Sequence, residues 1–369
     1  MSKEPTGNLS WHLLGMASKF SCPFWLPMLA FSMATLKDFP TVSIIITTLN
    51  NEQTIDECLK SIFDLDYPRD LMEVIVVDGG SKDSTVEIAK KYPAKVIVKP
   101  SNAPSAYNYA LKIARGDLIA IVDADVKVER GWLSRLAGRM KDPLVACVGG
   151  GIETWNPQRV LPRCIGYDIK YRYGRLLKSG DIKRLATMNL LIRRNVLEKV
   201  GGFDESLPTQ YDTELGYRIT DRGYKIIFEP EAKCYHFNRQ TWREYFKQQF
   251  QYGKNTIRLY LKKPSLIKGD RITDFGMNIQ PVLLIIAFIL AVLGLTLEQA
   301  RFTLYVSTAI LAFLLAYYVI YAAKVSLQFK DPTALLLVPI CFVRAVAWTL
   351  GGIFGIFKTV KAGEESSVD

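Results

Sequence analysis

The stretch TVSIIITTLNNEQTIDECLKSI, residues 41–62, changes character once, and that change decides the fold. Val42 to Thr48 is an uncharged, β-branched run of strand length, whereas Ile55, Leu59, Ile62 and Phe63 recur at helical spacing. Moving outward, the alternation repeats: a strand at Met72 to Val77, a helix at Ser84 to Lys91, a strand at Lys95 to Val98, a helix at Ser105 to Ala114 and a strand at Leu118 to Val122. Strand, helix, strand in this order predicts an α/β fold with a mostly parallel, Rossmann-like sheet flanked by helices. In such sheets ligands bind beyond the carboxyl ends of the strands.

Three of those ends are polar. The first carries Thr47, Thr48, Asn50, Asn51 and Glu52, the second Asp78, Gly79, Gly80, Ser81 and Asp83, and the last Asp123, Ala124 and Asp125. Neither GxGxxG nor GxxxxGK[ST] occurs, which removes the chief support for a dinucleotide oxidoreductase or a P-loop enzyme. Asp83 with Ser84 also reads as a helix cap, and Asn50-Asn51 as a turn. Two carboxylates one residue apart after an apolar strand say more: on an extended chain Asp123 and Asp125 share a face, as a hard divalent cation bridging a diphosphate requires.

The four segments TVSIIITTLNNEQTIDECLKSI, VIVVDGGSKDST, ARGDLIAIVDADV and VGGFDESLPTQYDTELGYRITDRG, in this order over about residues 40–240, resemble glycosyltransferase family 2, inverting enzymes of the GT-A fold that use nucleotide-diphospho-sugars. The resemblance implies a nucleotide-binding half built from the first strands, a divalent metal (Mg²⁺ or Mn²⁺) held by an Asp-X-Asp motif, and an acceptor-side half carrying a base. By position it assigns Thr48 and Glu52 to the nucleoside, Asp78 to the base or ribose, Asp123 to the ribose and metal region, Asp125 to the metal and Asn108 to the donor side. Asp212 becomes the base, because it follows Gly201-Gly202-Phe203-Asp204 at the family's spacing and opens an apparent helix, Thr213 to Thr220; Glu214 and Asp204 are its substitutes if Asp212 only caps that helix. His236, after a β-like stretch at Lys225 to Phe228, completes the metal or diphosphate site or is an ordinary hydrogen-bonded histidine. His12 has no role. The Gln-X-X-Arg-Trp signature of processive synthases is absent, and the Asp-X-Asp continues as Val126-Lys127-Val128-Glu129 rather than Gln-His-Pro-Pro. A lipid-linked saccharide acceptor therefore fits better than a bare polyprenyl phosphate, which is kept as the alternative.

Charge separates the two ends of the chain. Of 83 Lys, Arg, Asp and Glu residues, six (Glu298, Arg301, Lys324, Lys330, Asp331 and Arg344) fall between Met277 and Phe357. Spans are expected at about 277–297, 302–323 and 333–357, each long enough to cross ~30 Å of hydrocarbon as a helix. Arg344, in the third, needs a partner or must snorkel. Arg239 to Arg271 holds nine Lys or Arg against Glu244 and Asp270, so by the positive-inside rule this flank, and the catalytic domain before it, is cytoplasmic, at the cell membrane. The excess behind the net charge of +11 thus sits beside a membrane, which weakens a nucleic-acid reading. Within residues 241–276, apolar and basic residues alternate as on a helix lying on an anionic membrane surface.

Residues 1–39 read as a loosely structured or interfacial extension, with Phe20 to Leu36 interrupted by Pro23 and Pro27 and an alternative start at Met33. The six cysteines form no CxxC pair, consistent with reduced thiols. The expected protein is a membrane-anchored, metal-dependent inverting glycosyltransferase. The competing classes are a non-catalytic membrane scaffold that kept a nucleotide-binding domain, and a nucleotidyltransferase, whose Gly-rich, Arg-containing loop is missing.

Overall fold

The computed structural model describes residues 39–365 apart from Ser179 and Asp181. The expectations for Phe20 to Leu36, for Met33 and for His12 lie outside the described residues. The five cysteines within them (Cys58, Cys147, Cys164, Cys234 and Cys341) are buried free thiols.

The first half alternates as the periodicity predicts: β1 (Val42–Thr48), α1 (Ile55–Phe63), β2 (Met72–Asp78), α2 (Thr85–Ala89), β3 (Lys95–Val98), α3 (Ala103–Ile113) and β4 (Leu118–Asp123). It continues through β5 (Val126–Val128), α4 (Trp132–Gly138), β6 (Val145–Thr154), α5 (Val160–Gly174), β7 (Leu190–Arg193), α6 (Arg194–Lys199), α7 (Tyr211–Thr220) and β8 (Lys225–His236). One sheet joins all eight strands in the order β3-β2-β1-β4-β7-β6-β8-β5. The strands β3, β2, β1 and β4 run parallel, as do β6 and β8, while β7 and β5 pair antiparallel to their neighbours. Ile45 on β1 stands in register with Ile75 on one side and Ile121 on the other, and all three are buried. Helices on both faces explain why these strands read as continuous apolar runs instead of alternating.

Two elements extend beyond their expected ends in ways that bear on the site. The helix predicted over 213–220 begins at Tyr211, so Asp212 lies inside its first turn and Gln210, at φ 67°, precedes it as the cap. The strand predicted over 225–228 runs on to His236 because β6 pairs with it as far as Thr154 and β5 pairs Val126 with His236. His236 is therefore the last residue of a strand, not part of a loop.

Beyond the sheet come α8 (Trp242–Lys262), α9 (Phe275–Asn278), α10 (Gln280–Thr296), α11 (Phe302–Phe329) and α12 (Leu337–Glu365). Three stretches, Phe275–Thr296, Phe302–Phe329 and Pro332–Lys358, are long and apolar enough to cross a membrane. The second outruns its expected end at 323 because a single Lys324 does not break a helix; it stops where Lys330 turns left-handed at φ 52° before Asp331 and Pro332.

α8 opens with a capping box, Thr241 accepting from the Glu244 N–H while the Glu244 carboxylate accepts from the Thr241 N–H. Its inner stripe is not free to meet lipid as expected, because Tyr245, Gln249 and Gly253 pack along α12 while Leu259 is buried with Leu207 and Leu266. Glycines permit the approach: a Cβ on Gly253 would stand 2.5 Å from the Trp348 carbonyl oxygen, and one on Gly351 would collide with that of Phe250. Nothing lies within 4 Å of a Cβ on Gly352. Gly351→Val should therefore lower stability by about 1–3 kcal/mol, read as a fall in the thermal unfolding midpoint in detergent, while Gly352→Val stays near wild type. Equal effects at the two positions would contradict this packing.

The helix α5 is the bolt between sheet and apolar helices. Tyr167 donates to Asp331 at 2.9 Å and Tyr321 donates to Asp168 at 2.7 Å. Arg344 finds the partner it needs: its Nη1 lies 3.2 and 3.0 Å from the two oxygens of Asp168.

Candidate active site

The loops after β1 and β2 are stitched to each other. Asn50, at φ 54°, donates its N–H to Ser81 Oγ at 2.7 Å and accepts from the Lys82 N–H at 2.9 Å through its side chain. The Asn51 N–H donates to Thr85 Oγ1 at 2.8 Å, and Asn51 Oδ1 accepts from Thr48 Oγ1 and the Leu49 N–H, both at 3.1 Å. Asp78 is fully buried under this lattice, with Oδ1 accepting from the N–H groups of Gly80 and Ser81 at 2.9 and 2.8 Å. Its carboxylate is spent holding the loop in shape. Glu52 is exposed on the same loop and accepts from the Ser84 N–H at 3.1 Å.

A cavity of about 370 Å³ opens beyond these strand ends, lined by Thr48, Asn51, Gly79, Asp123, Asp125 and Arg239 among others. A second, of about 300 Å³, runs from Asp123 and His236 past Asp212 and Tyr252 to Asp168, Arg172, Arg344 and Trp348. Asp123, Tyr211 and Arg239 border both. Of the residues expected on the donor side, Thr48 and Asp123 reach the first cavity; Asp78, Glu52 and Asn108 do not border it. Asn108 is engaged elsewhere: its amide nitrogen donates to the Phe203 carbonyl at 2.8 Å and Glu205 Oε1 at 2.9 Å, and its oxygen accepts from the Phe203 N–H at 2.8 Å. It braces the left-handed Gly201-Gly202 turn, where a Cβ on Gly202 would stand 2.5 Å from Asn108 Oδ1.

The carboxylate pair is not on an extended chain. Asp123 ends β4, and Ala124 and Asp125 form a turn, which sends the two side chains to different partners. Asp123 accepts from the Tyr107 hydroxyl at 3.0 Å; burial, then the neighbouring Asp125, push its pKa up to about 6. Asp125 Oδ2 lies 3.6 Å from His236 Nε2 and 3.7 Å from Arg239 Nη2. Burial opposes ionisation of Asp125, but these two cationic partners outweigh it and hold its carboxyl below the usual range. Burial likewise opposes charging of His236, and Asp125 outweighs it and raises the imidazole. Among the described residues no three His, Cys, Asp or Glu side chains converge as a ready metal cage, so the expected set of Asp123, Asp125 and His236 is not preassembled.

The tautomer of His236 is nonetheless determined. Asn238 Nδ2 lies 3.1 Å from the Pro162 carbonyl, which only accepts, so Asn238 Oδ1 faces His236 and the 2.8 Å contact to Nδ1 requires a proton there. With Nδ1 protonated, Nε2 is the atom that faces Asp125: the charged imidazole points its second proton at that carboxylate, and loss of that proton leaves a lone pair there. One imidazole lone pair beside one carboxylate suits a divalent cation that takes its remaining ligands from diphosphate and water.

Asp212 stands in the wall of the second cavity. Oδ1 accepts from the Thr213 N–H at 2.7 Å, and Oδ2 has no hydrogen-bond partner among the described residues. Burial raises its pKa, while Arg184, itself 2.6 Å from Asp270, pulls the other way. The two substitutes are occupied elsewhere: Glu214 is paired with Arg218, Asp204 lies 2.7 Å from Lys262 Nζ, and neither borders the cavity. Sequence reading missed Tyr107, Arg184, Asn238 and Arg239. Only Asn238-Arg239, adjacent to His236, carried a local signal; the others come in from remote elements.

The family model Glycosyl transferase family 2 matches residues 43–201. A probable glycosyltransferase of Bacillus subtilis, YdaM, is 32% identical over 243 residues, 62% of this chain and 58% of that protein. The chain thus spans little more than half of that relative. Glycosyltransferase AglE of Haloferax volcanii is 30% identical over 235 residues, 60% of this chain and 75% of its own. Among solved structures, the mannosyltransferase PcManGT of Pyrobaculum calidifontis, in complex with GDP-Man and Mn²⁺, superposes with a TM-score of 0.54 at 22% identity over 87% of this chain and 93% of its own. That likeness is one of fold, the GT-A type of curled sheet followed by apolar helices. From the matched segment and these relatives together, the chain belongs to glycosyltransferase family 2.

Proposed function

We propose that this glycosyltransferase is an inverting, metal-dependent enzyme moving a sugar from a nucleotide-diphospho-sugar to a lipid-linked saccharide, with its catalytic half on the cytoplasmic side of the cell membrane. The observation that carries the reading is the meeting of two cavities at Asp123, Tyr211 and Arg239: one at the carboxyl ends of the parallel strands, the other walled by Asp212 and by the apolar helix α12. A donor in the first would present its anomeric carbon to an acceptor reaching the second from the membrane. The cytoplasmic side follows from the nine basic residues between Arg239 and Arg271.

Each residue then has a definite task. The loops tied together by Asn50, Asn51 and Asp78 shape the nucleoside pocket, with Thr48 in its wall. Asp125 and His236 would hold Mg²⁺ or Mn²⁺, in keeping with the Mn²⁺ of the mannosyltransferase of like fold. That ion, when bound, neutralises charge on the departing diphosphate. Arg239 lends further positive charge at the same place. Asp212 takes the acceptor hydroxyl's proton as that oxygen bonds to the anomeric carbon and the bond from that carbon to the diphosphate breaks; the nucleoside diphosphate leaves with the electron pair. With Oδ2 uncommitted and its pKa raised by burial, Asp212 is a stronger base than an exposed aspartate.

Purified full-length protein in detergent, given Mn²⁺ and a panel of nucleotide-sugars with lipid-linked saccharides, should release nucleoside diphosphate from one donor class. Release of pyrophosphate instead would establish the nucleotidyltransferase, and no turnover of any donor would leave the scaffold.

A further inference from the structure

The wall that α5 and α12 give to the second cavity carries an unbalanced charge. Asp168, on α5, is shared by two guanidiniums: Arg344 Nη1 lies 3.2 and 3.0 Å from its oxygens, and Arg172 Nη2 lies 2.8 Å from Oδ2 with Nε at 3.0 Å. Tyr321 donates to the same carboxylate at 2.7 Å. The side chains of Asp168 and Arg344 are each 6% exposed and that of Arg172 17%, so one net positive charge sits in a nearly closed wall. Arg344 also spends an Nη2 proton on Cys341 Sγ at 3.3 Å, a weak acceptor, and stacks on the Trp348 ring at 5.9 Å. A buried charge is normally paired, and two guanidiniums carry ten N–H donors against the two oxygens of one carboxylate.

The place of this surplus in the fold says what it would meet. Arg344 belongs to an apolar helix, yet its partner lies on a helix of the sheet domain, and α12 continues along α8, whose far side exposes Arg243, Lys247 and Lys262. The guanidiniums therefore lie where the sheet domain meets the apolar helices, the level of lipid headgroups, and basic pockets at that level bind phosphate. Asp212 borders the same cavity.

We propose that Arg172 and Arg344 form the subsite for the phosphate of a phosphate-bearing lipid acceptor, with Asp168 holding both guanidiniums in place until that phosphate takes over part of their hydrogen bonding. This rests on the lipid-linked acceptor proposed above. It makes the two arginines acceptor-binding residues and gives the acceptor a fixed headgroup position, so that its sugar hydroxyl is presented toward Asp212.

The test measures binding to the full chain in detergent, with EDTA present so that no metal recruits phosphate to Asp125 and His236. Farnesyl phosphate should bind at least ~10-fold more tightly than farnesol, the scale of a charge-assisted bidentate contact, and inorganic phosphate at the same concentration should give no thermal shift. Arg344→Gln and Arg172→Gln should each remove that preference, leave farnesol binding alone and, with Mn²⁺ restored, leave nucleoside diphosphate binding alone. Asp168→Asn, which keeps the shape and removes the opposing charge, should increase the preference. A purely structural triad predicts the reverse: all three variants lose stability and the discrimination between the two lipids does not move. Equal binding of farnesol and farnesyl phosphate to the wild type, or persistence of the preference in Arg172→Gln, would overturn the subsite. Inorganic phosphate that stabilises as well as farnesyl phosphate would overturn the lipid as its source. If nucleoside diphosphate is released normally while the lipid preference is absent, only this subsite fails; if no donor turns over, it is the transferase reading that fails.

Discussion

Asp212→Asn should fold, bind nucleotide normally and transfer sugar at least ~100-fold more slowly, the usual scale for losing a general base. The structure makes this a clean substitution. Gln210, not Asp212, occupies the cap of α7, so no cap is removed, and an asparagine Oδ1 can still accept from the Thr213 N–H now 2.7 Å from Asp212 Oδ1. What asparagine cannot do is take a proton on Oδ2. Because burial raises the Asp212 pKa, the acid limb of kcat/KM should lie above the range of an exposed aspartate: activity is full when Asp212 is ionised and is lost as pH falls through its raised pKa. Steady-state rates of nucleoside diphosphate release across pH check both points. Near-normal turnover of the variant would dismiss Asp212 as the base, and Glu214 and Asp204, each tied to a cation outside the cavity, could not easily replace it.

Asp125→Ala should be at least as damaging, with transfer falling by about three decades, in line with the several kcal/mol that a divalent cation contributes to stabilising a leaving diphosphate. EDTA should reduce the wild type to a similar level, and the two effects should not add. Stability should change little by comparison, since both ion pairs lost with Asp125 are long, at 3.6 Å to His236 Nε2 and 3.7 Å to Arg239 Nη2. His236→Ala should weaken the response to Mn²⁺, and Asn238→Ala should do so to a smaller degree by freeing the imidazole from its fixed tautomer. The measurements are rates against Mn²⁺ concentration and unfolding midpoints of the same samples. Undiminished activity of Asp125→Ala, or of wild type in EDTA, would contradict the assignment.

How much of this was legible in the chain varies with the range of the interactions involved. The strands β1, β2 and β4 and the helix α1 were readable because burial on both faces forces β-branched runs and one-sided burial forces a helical period, both of them local patterns. The apolar helices were readable for the same reason, since length and unbroken hydrophobicity are local properties of the chain. Asp123 and Asp125 stood out through position alone, directly after an apolar strand.

The turn at Ala124-Asp125, which divides the pair between Tyr107 and His236, was not legible, because a turn depends on what β5 must reach across the sheet. Nor was the bonding of Asn108 to Phe203, beside the Gly201-Gly202 turn and 95 residues away in sequence. Arg344 looked like a liability within a span, and only the docking of α5 supplied Asp168, 176 residues distant. The sequence by itself determined the alternation of elements, the family and the three long apolar helices at the far end, all set by short-range pattern and composition. Tertiary structure alone decided which carboxylates face a cavity, which are consumed as struts and which cations they meet, because those energies depend on burial and on distances of a few ångströms between residues remote along the chain.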